Sequence, residues 1–459
     1  MTQVLGIAFA QFLGCSLWFS VNGVSSSLIL EWGLGASDIG LLTGAVQAGF
    51  IVGTLGLAVS NLADRFRPTL IFLWASLLGG FANLLFAYHA SGLGEGLPYR
   101  FVVGVCLAGI YPIGMKLIVS WSPRLPGVGL GLVVGMLTLG TASPHLFNGL
   151  SWSPDWRLTL TFVSGLTAIA GVIVLLIGEG PFGVKQTAPI RWGSVFKSFQ
   201  SPRFRASACG YFGHMWELYA FWTLVPWLLA SVMTEASELE ISLWSFAVIG
   251  VGLFGAVWGG LMSQRWGSGR VAFISLAMSG TFCGLYPFLT NTQLFAILGL
   301  MIWGFFVIAD SAQFSAISSK SCPPALVGSA LSIQNSVGFL ISIGSIMLGT
   351  EWLDVLGVAV VWLLIPGPLL GLIASRSLLS EPVPYSKTPG CLHEKRLMCR
   401  PPWGGYAGIV CFSVNLCGAL GVRFCYRLCR DARCNTLRCA RVPIRNCCVR
   451  IFCCCVDPV

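Results

Sequence analysis

The stretch SNLADRFRPT, residues 60–69, is a polar interruption between two apolar runs. It holds Asp64, Arg65, Arg67 and Pro68, whereas the runs on either side, 39–62 and 69–89, contain no Asp, Glu, Lys or Arg. The stretch GGLMSQRWGSGR, residues 259–270, divides a second apolar region in the same manner, and Arg265 follows Arg65 by 200 positions. A polar loop between apolar runs, met twice at one spacing, points to a repeated helical unit.

Such runs recur along most of the chain. Its 459 residues are 55% hydrophobic and only 10% charged, with a mean hydropathy of +0.81. A run of about twenty apolar residues crosses the ~30 Å hydrocarbon core as a helix. Lipid offers no water to unpaired backbone groups, so each run must be a helix or a barrel strand. The runs are continuous rather than alternating, which selects helices and excludes a string of soluble domains. Twelve spans are expected, near 4–29, 39–62, 69–89, 98–120, 127–150, 158–178, 205–232, 242–263, 271–290, 294–317, 326–349 and 355–375. The first is too long for a cleavable signal and lacks a basic segment before it, so it reads as a signal anchor.

Basic residues set the orientation. Arg65, Arg67, Arg124, Lys185, Arg191, Lys197, Arg203, Arg205, Arg265, Arg270, Lys320 and Arg376 all fall on one side of the twelve spans. The other side has Arg100 and Arg157 among acids such as Glu31, Asp38, Asp155 and Glu235. The positive-inside rule then places both termini in the cytoplasm. No organelle address is visible, so a bacterial inner membrane is the expected home.

The end of the chain has a different composition. Residues 391–459 hold eleven Lys or Arg against three Asp or Glu, and thirteen of the eighteen cysteines, including FCCCV at 452–456. Three readings stay open: a thiol metal site, a palmitoylated polybasic surface segment, or coding sequence read out of frame. The cysteines show no regular pairs and His393 stands alone among them, so no metal site is assigned. The expected organisation is a first six-helix half over 1–178, a cytoplasmic linker over 179–204, and a second half over 205–376. The Cys- and Arg-rich tail, 377–459, is set apart from the fold.

The halves echo each other beyond Arg65 and Arg265. GVGLGLVVGMLTLG starts at Gly127 and GSALSIQNSVGFL at Gly328; FLGCSLWF at 12–19 aligns loosely with YFGHMWEL at 211–218. Two halves in the same orientation make a parallel repeat, which builds a cavity between them. The chain resembles the major facilitator superfamily over residues 1 to about 376. That family's loop has the form Gly-x-x-x-Asp-Arg-x-Gly-x-Arg/Lys. Asp64 and Arg65 match it, while Ser60, Arg67 and Thr69 depart; the second copy keeps Gly260, Arg265 and Gly267 but has Gln264 for the acid. RFVVGVCLAG (100–109) is similar to the family's Arg-x-x-x-Gly pattern, and GLVVGMLTLGTASPH (131–145) to its Gly- and Pro-containing motif. The resemblance implies an all-α polytopic fold of twelve helices in two halves. It also implies a cytoplasmic latch at Asp64 and Arg65, with Arg265 and Arg270 in the corresponding loop. Pro112 and Pro144 are candidate sites of helix bending.

A charge facing lipid in mid-membrane is costly, so buried ionisable residues mark the interior or a water-filled path. In GYFGHMWELYAFW (210–222), His214 and Glu217 lie about 13 and 18 Å into the seventh span, three residues apart on one face. Glu217 with His214 as neighbour is the leading proton-coupling candidate; the alternative is that the two hydrogen-bond each other and lock one helix pair. Asp310, in IADSAQFSAISS, either faces the cavity or pairs with Lys116 or a gate residue. Lys116, Arg100 and Tyr219 complete the candidate set for substrate or proton coupling.

These features favour a secondary transporter of a small solute, an organic anion or other small metabolite, working by alternating access with protons as the coupling ion. The alternatives are a proton-antiport efflux pump or a transporter-like sensor. No Gly-x4-Gly-Lys-Ser/Thr loop is present for ATP, and the body's three histidines are too scattered for a metal enzyme. No cofactor, metal or nucleic-acid partner is expected; the partners are a small-molecule substrate, protons and the lipid bilayer.

Overall fold

The structure, a computed structural model, describes residues 2–60, 62–121, 126–150, 155–182, 196–322, 326–380, 409–417, 421–429 and 437–442. Two compact units divide the chain, Met1–Pro384 and Tyr385–Val459.

The first unit is helical. Nine of its described helical runs are long and apolar enough to cross a membrane. These are Ala36–Ser60, Pro68–His89, Leu93–Trp121, Trp156–Ile177, Glu238–Trp266, Ser268–Leu289, Gln293–Lys320, Val327–Glu351 and Leu353–Ser380. Three more helical stretches bring the spans to twelve. The first is broken, running Thr2–Cys15 and then, after a turn, Ser25–Trp32. The fifth is Pro126–Leu150, and the seventh, Pro202–Val232, is made less apolar by the ionisable residues singled out above. Spans are numbered one to twelve below, and the end of the bundle where the sixth span closes and the seventh begins is the linker end.

The repeat seen in the sequence sets the helix limits. The third and ninth spans are both 22 residues long and begin at Pro68 and Ser268; the fifth and eleventh are both 25 long and begin at Pro126 and Val327. Side-chain ties repeat as well. After the second span, Arg67 Nε lies 3.4 Å from Glu179 Oε1, just past the sixth; after the eighth, Arg270 Nε donates to the Leu379 carbonyl at 3.4 Å, at the close of the twelfth. Within each half, small residues bring the second and fourth helices together. Gly49 and Gly53 meet the carbonyls of Phe101 and Val105, and Gly255 and Gly259 meet those of Phe305 and Ala309. A Cβ at any of the four would strike backbone, so close packing here requires glycine.

Three spans break where no proline lies. The first unwinds after Cys15, the eighth is interrupted at Val251, and the tenth at Asp310, between Gln293–Ala309 and Ser311–Lys320. Pro112 and Pro144, the candidate bending sites, sit inside the helices of the fourth and fifth spans. The twelfth span contains a 3-10 stretch, Gly357–Leu364, between Leu353–Leu356 and Pro366–Ser375. Outside donors hold it: Cys283 Sγ donates to the Val361 carbonyl at 2.9 Å, and Trp216 Nε1 to that of Leu363 at 3.1 Å. Beyond it, Gly367 and Gly371 pack against Gly210 and Gly213 of the seventh span.

At the end away from the linker, Glu31 ties the close of the first helical stretch to the start of the sixth. It accepts from Trp156 Nε1 at 2.7 Å and from both terminal nitrogens of Arg157, at 3.1 and 2.5 Å. The guanidinium beside it holds the Glu31 carboxyl below the usual carboxylate range, helped by the indole N–H.

In the second unit, three strands, β1 Ile409–Cys417, β2 Gly421–Cys429 and β3 Leu437–Val442, form an antiparallel sheet in the order β1-β2-β3. Ile409 pairs with Cys429 and Val422 with Val442. His393 and the cysteines of 453–455 lie outside the described residues.

Candidate functional site

A cavity of about 130 Å³ lies between the halves. The first half supplies Tyr111 and Met115 of the fourth span with Val134 and Leu137 of the fifth. The second half supplies Tyr211, Met215, Leu218 and Tyr219 of the seventh span, and Ser311, Ser315 and Ser319 of the tenth. Asn335 and Phe339 of the eleventh complete the polar and aromatic wall. Ser311, Ser315 and Ser319 recur every four residues, which puts one hydroxyl per turn on the cavity face.

Aromatic rings close the cavity away from the linker end. Trp18 stacks on Tyr219 at 5.8 Å and on Phe339 at 5.5 Å, and Phe50 meets Phe339 at 4.5 Å, so rings from both halves interlock. Trp18 is fixed in turn by Nε1 donating to Gln47 Oε1 at 3.2 Å. Farther out, Asn148 Nδ2 of the fifth span donates to Ser242 Oγ of the eighth at 3.3 Å. Toward the linker, Tyr111, Met115, Ser311, Ser315, Ser319 and Asn335 are only half-buried. The cavity therefore opens to the linker end and is sealed at the other.

Behind its wall, the second half holds a buried polar cluster. His214 Nδ1 lies 2.8 Å from Asp310 Oδ1, both side chains fully buried. His214 Nε2 and Asp310 Oδ2 have no hydrogen-bond partner among the described residues. Glu217, also fully buried, accepts from Ser279 Oγ of the ninth span at 2.9 Å and from Trp303 Nε1 of the tenth at 2.7 Å. His214 and Glu217 therefore do not bond each other. The seventh and tenth spans run in opposite directions, so His214 meets Asp310 while Glu217, one turn farther, meets Trp303, two turns back along the tenth. Asp310 takes His214 as its partner, not Lys116. Lys116 itself is half-buried, next to the lining residue Met115.

Arg100 is placed differently from its expected coupling role: it does not line the cavity. It is fully buried in the first half, where Nη1 donates to Ser20 Oγ and Asn83 Oδ1, both at 2.9 Å. Its Nη2 donates to the Leu17 and Trp18 carbonyls at 3.2 and 3.1 Å. Asn83 Nδ2 extends the network to the Leu160 carbonyl at 3.1 Å and Ser164 Oγ at 3.0 Å. Each half thus ties its first, third and fourth helices through one buried centre, a guanidinium in one and a carboxylate in the other.

The expected cytoplasmic gate is not assembled among the described residues. Arg65 and Arg265 are exposed, Arg270 bonds within its own half, and the side chain of Asp64 lies outside the described residues. Sequence reasoning missed the serine stripe of the tenth span and Asn335. The four-residue spacing in SAQFSAISS was the available signal.

Two six-helix halves around a central cavity, open to one end and shut at the other, define the fold of a membrane solute carrier. The family model of the Major Facilitator Superfamily matches residues 7–342. The chain belongs to that superfamily: it is a multi-pass membrane transporter of small solutes, not an enzyme. It is 23% identical over 375 residues to the 4-hydroxybenzoate transporter PcaK of Pseudomonas putida, covering 72% of this chain and 82% of that one. It is 26% identical over 159 residues to PcaK of Pseudomonas aeruginosa and 28% over 163 residues to the niacin transporter NiaP of Acinetobacter baylyi. Each of these shorter matches spans 34% of the relative's length and 33% of this chain. Among solved structures, the nucleoside transporter NupG superposes with a TM-score of 0.61 at 14% identity, over 82% of this chain and 99% of NupG. A bacterial homologue of the lysosomal transporter Spinster gives 0.61 at 16%, over 82% and 94%. At these identities the structures speak for the fold alone.

Proposed function

We propose that this protein is a secondary active transporter of a small, single-ring organic anion, moved together with protons. The observation that carries this reading is the central cavity itself. Its volume, about 130 Å³, is close to the ~150 Å³ of a cavity known to take one benzene ring. Tyr211, Tyr219 and Phe339 offer ring faces, while Ser311, Ser315 and Asn335 offer hydrogen bonds to a polar substituent. The substrates named for PcaK and NiaP support the same class. In this reading the halves are 1–178 and 205–376, both termini and the linker are cytoplasmic, and the membrane is a bacterial inner membrane.

No charged side chain lines the cavity among the described residues, so the proton that travels with the substrate balances its charge. Glu217 is the proposed seat of that proton. When ionised it accepts from both Ser279 and Trp303. Ser279 Oγ also lies 3.2 Å from the Leu276 carbonyl. One hydroxyl hydrogen serves one acceptor at a time. On protonation Glu217 donates to Ser279 Oγ, and the serine turns its hydrogen to Leu276. The exchange keeps every bond and moves one charge. The His214–Asp310 pair beside it is the second ionisable element, placed where the tenth span breaks and begins its serine-lined segment.

Uptake of labelled 4-hydroxybenzoate and nicotinate into proteoliposomes, with and without an imposed pH gradient, tests this proposal. Gradient-stimulated uptake of either compound is the expected result. Flux of neither compound, in uptake or in counterflow, would sink the substrate class; flux indifferent to the gradient would sink the coupling.

A further inference from the structure

On the lateral face of the first half, the second, third and fourth spans leave an apolar groove of about 670 Å³. Val52, Gly56, Phe66, Trp74, Leu78 and Gly109 are among its walls, and Val52, Phe66, Trp74 and Leu78 are exposed. It is separate from the solute cavity and larger. Along the second span it runs from near Leu62 to Val52, roughly 15 Å at the helical rise. That is about half of the ~30 Å hydrocarbon core, the depth of one leaflet.

The second half shows what the fold does with this position when it supplies the filling itself. Gly53 against the Val105 carbonyl corresponds to Gly255 against that of Phe305, just as Gly104 against Val46 corresponds to Gly304 against Val248, so Gly56 corresponds to Trp258. Trp258 meets Phe305 and Phe306 at 5.8 Å each and Trp266 at 6.0 Å, a cluster of four rings. The first half has Gly56, Val105 and Cys106 at the positions of Trp258, Phe305 and Phe306, and the space stays open. At Gly56 a Cβ would meet nothing within 4 Å.

We propose that this groove binds one glycerophospholipid from the linker-side leaflet, an acyl chain lying along Val52 and Gly56 and the phosphate held by Arg65. Arg65 is exposed at the mouth, beside the lining residues Leu62 and Phe66. Arg67, next in line, is engaged by Glu179, so the phosphate contact falls to Arg65. Guanidinium–phosphate pairing is among the stronger charge-assisted contacts, and basic residues at this membrane level recognise lipid headgroups. The proposal is independent of which solute is carried.

The test is native mass spectrometry of the purified full chain in detergent, titrated with phosphatidylglycerol and, separately, with diacylglycerol of the same acyl chains. Gly56→Trp copies the second half's own filling, and Val52→Leu fills the groove from the adjacent turn. Their melting temperatures show that each is folded. The wild type is expected to bind one phosphatidylglycerol that both filled variants lose, with affinity falling at least about tenfold. Arg65→Gln is expected to weaken phosphatidylglycerol by about tenfold while leaving diacylglycerol unchanged. Identical titrations for the wild type and both filled variants would overturn the site. Equal binding of the two lipids, unaltered by Arg65→Gln, would overturn the phosphate assignment.

Discussion

His214 Nδ1 on the seventh span stands 2.8 Å from Asp310 Oδ1, and Asp310 is the residue at which the tenth span changes from one helix to the next. The contact ties the break to a neighbouring helix. Ser207 reinforces it lower down, donating to the Phe314 carbonyl at 2.7 Å and accepting from Ser318 Oγ at 3.0 Å. The serine-lined segment is therefore fastened to the seventh span as well as to the end of its own upper helix.

Loss of one partner strands the other in a water-free interior. Asp310→Asn is predicted to destabilise the protein by on the order of 3 kcal/mol. The double variant His214→Asn/Asp310→Asn should recover part of this, with a coupling energy of about 1–3 kcal/mol in a double-mutant cycle. Unfolding measured in detergent provides the four values; additivity within about 0.5 kcal/mol would show that the two do not act as a pair.

Glu217→Gln keeps an oxygen to accept from Trp303 and an amide to donate to Ser279. We predict a melting temperature within a few degrees of wild type, retained counterflow, and loss of gradient-driven uptake. Ser279→Ala removes the hydroxyl that changes partner and should weaken the response to a pH gradient while leaving counterflow. Gradient-driven uptake at wild-type rate in Glu217→Gln would place the proton elsewhere.

Arg100 makes four hydrogen bonds from one guanidinium, and no ammonium reproduces that fork. Arg100→Lys should cost roughly 3 kcal/mol of stability through lost charge-assisted bonds. Arg100→Leu should cost more, because Ser20, Asn83 and two carbonyls lose their donor. If either variant melts with the wild type yet fails to transport, the role is chemical and not architectural.

The Glu31 clasp carries a pH signature. Its carboxyl is held below the usual range by Arg157, so its contribution is present above the ordinary carboxylate pKa of about 4.3. It fades as pH falls through the lower folded value. Glu31 is 41% exposed, so solvent screening limits the effect to under about 1 kcal/mol. Melting temperature recorded from pH 7 down to pH 3 should fall more for wild type than for Glu31→Gln; parallel curves would remove the clasp from the account.

Much of the architecture could be read along the chain because it is periodic. Spans announce themselves by length and apolarity, and Arg65 with Arg265 marked the 200-residue repeat that the third and ninth helices obey. Pairing across helices was not readable. His214 and Glu217 share a helix face in projection, yet an antiparallel neighbour takes one at Asp310 and the other at Trp303, residues about a hundred positions away. Arg100 stood out as a charge near a span end, and nothing local told that Ser20, Asn83 and the carbonyls of Leu17 and Trp18 converge on it. The carbonyls are free to accept because the first span unwinds there, and that break follows from packing, not from a proline.

The 3-10 stretch of the last span has a consequence of helical phase. Its eight residues, Gly357–Leu364, advance about 960° at three residues per turn, against about 800° at 3.6. Were they α-helical, everything beyond Leu364 would be turned by about 160° and drawn back by about 4 Å. Gly367 and Gly371, which now lie on Gly210 and Gly213, would point toward lipid. The tighter winding thus acts as an indexing device: it selects which side of Pro366–Ser375 meets the helix that carries His214 and Glu217.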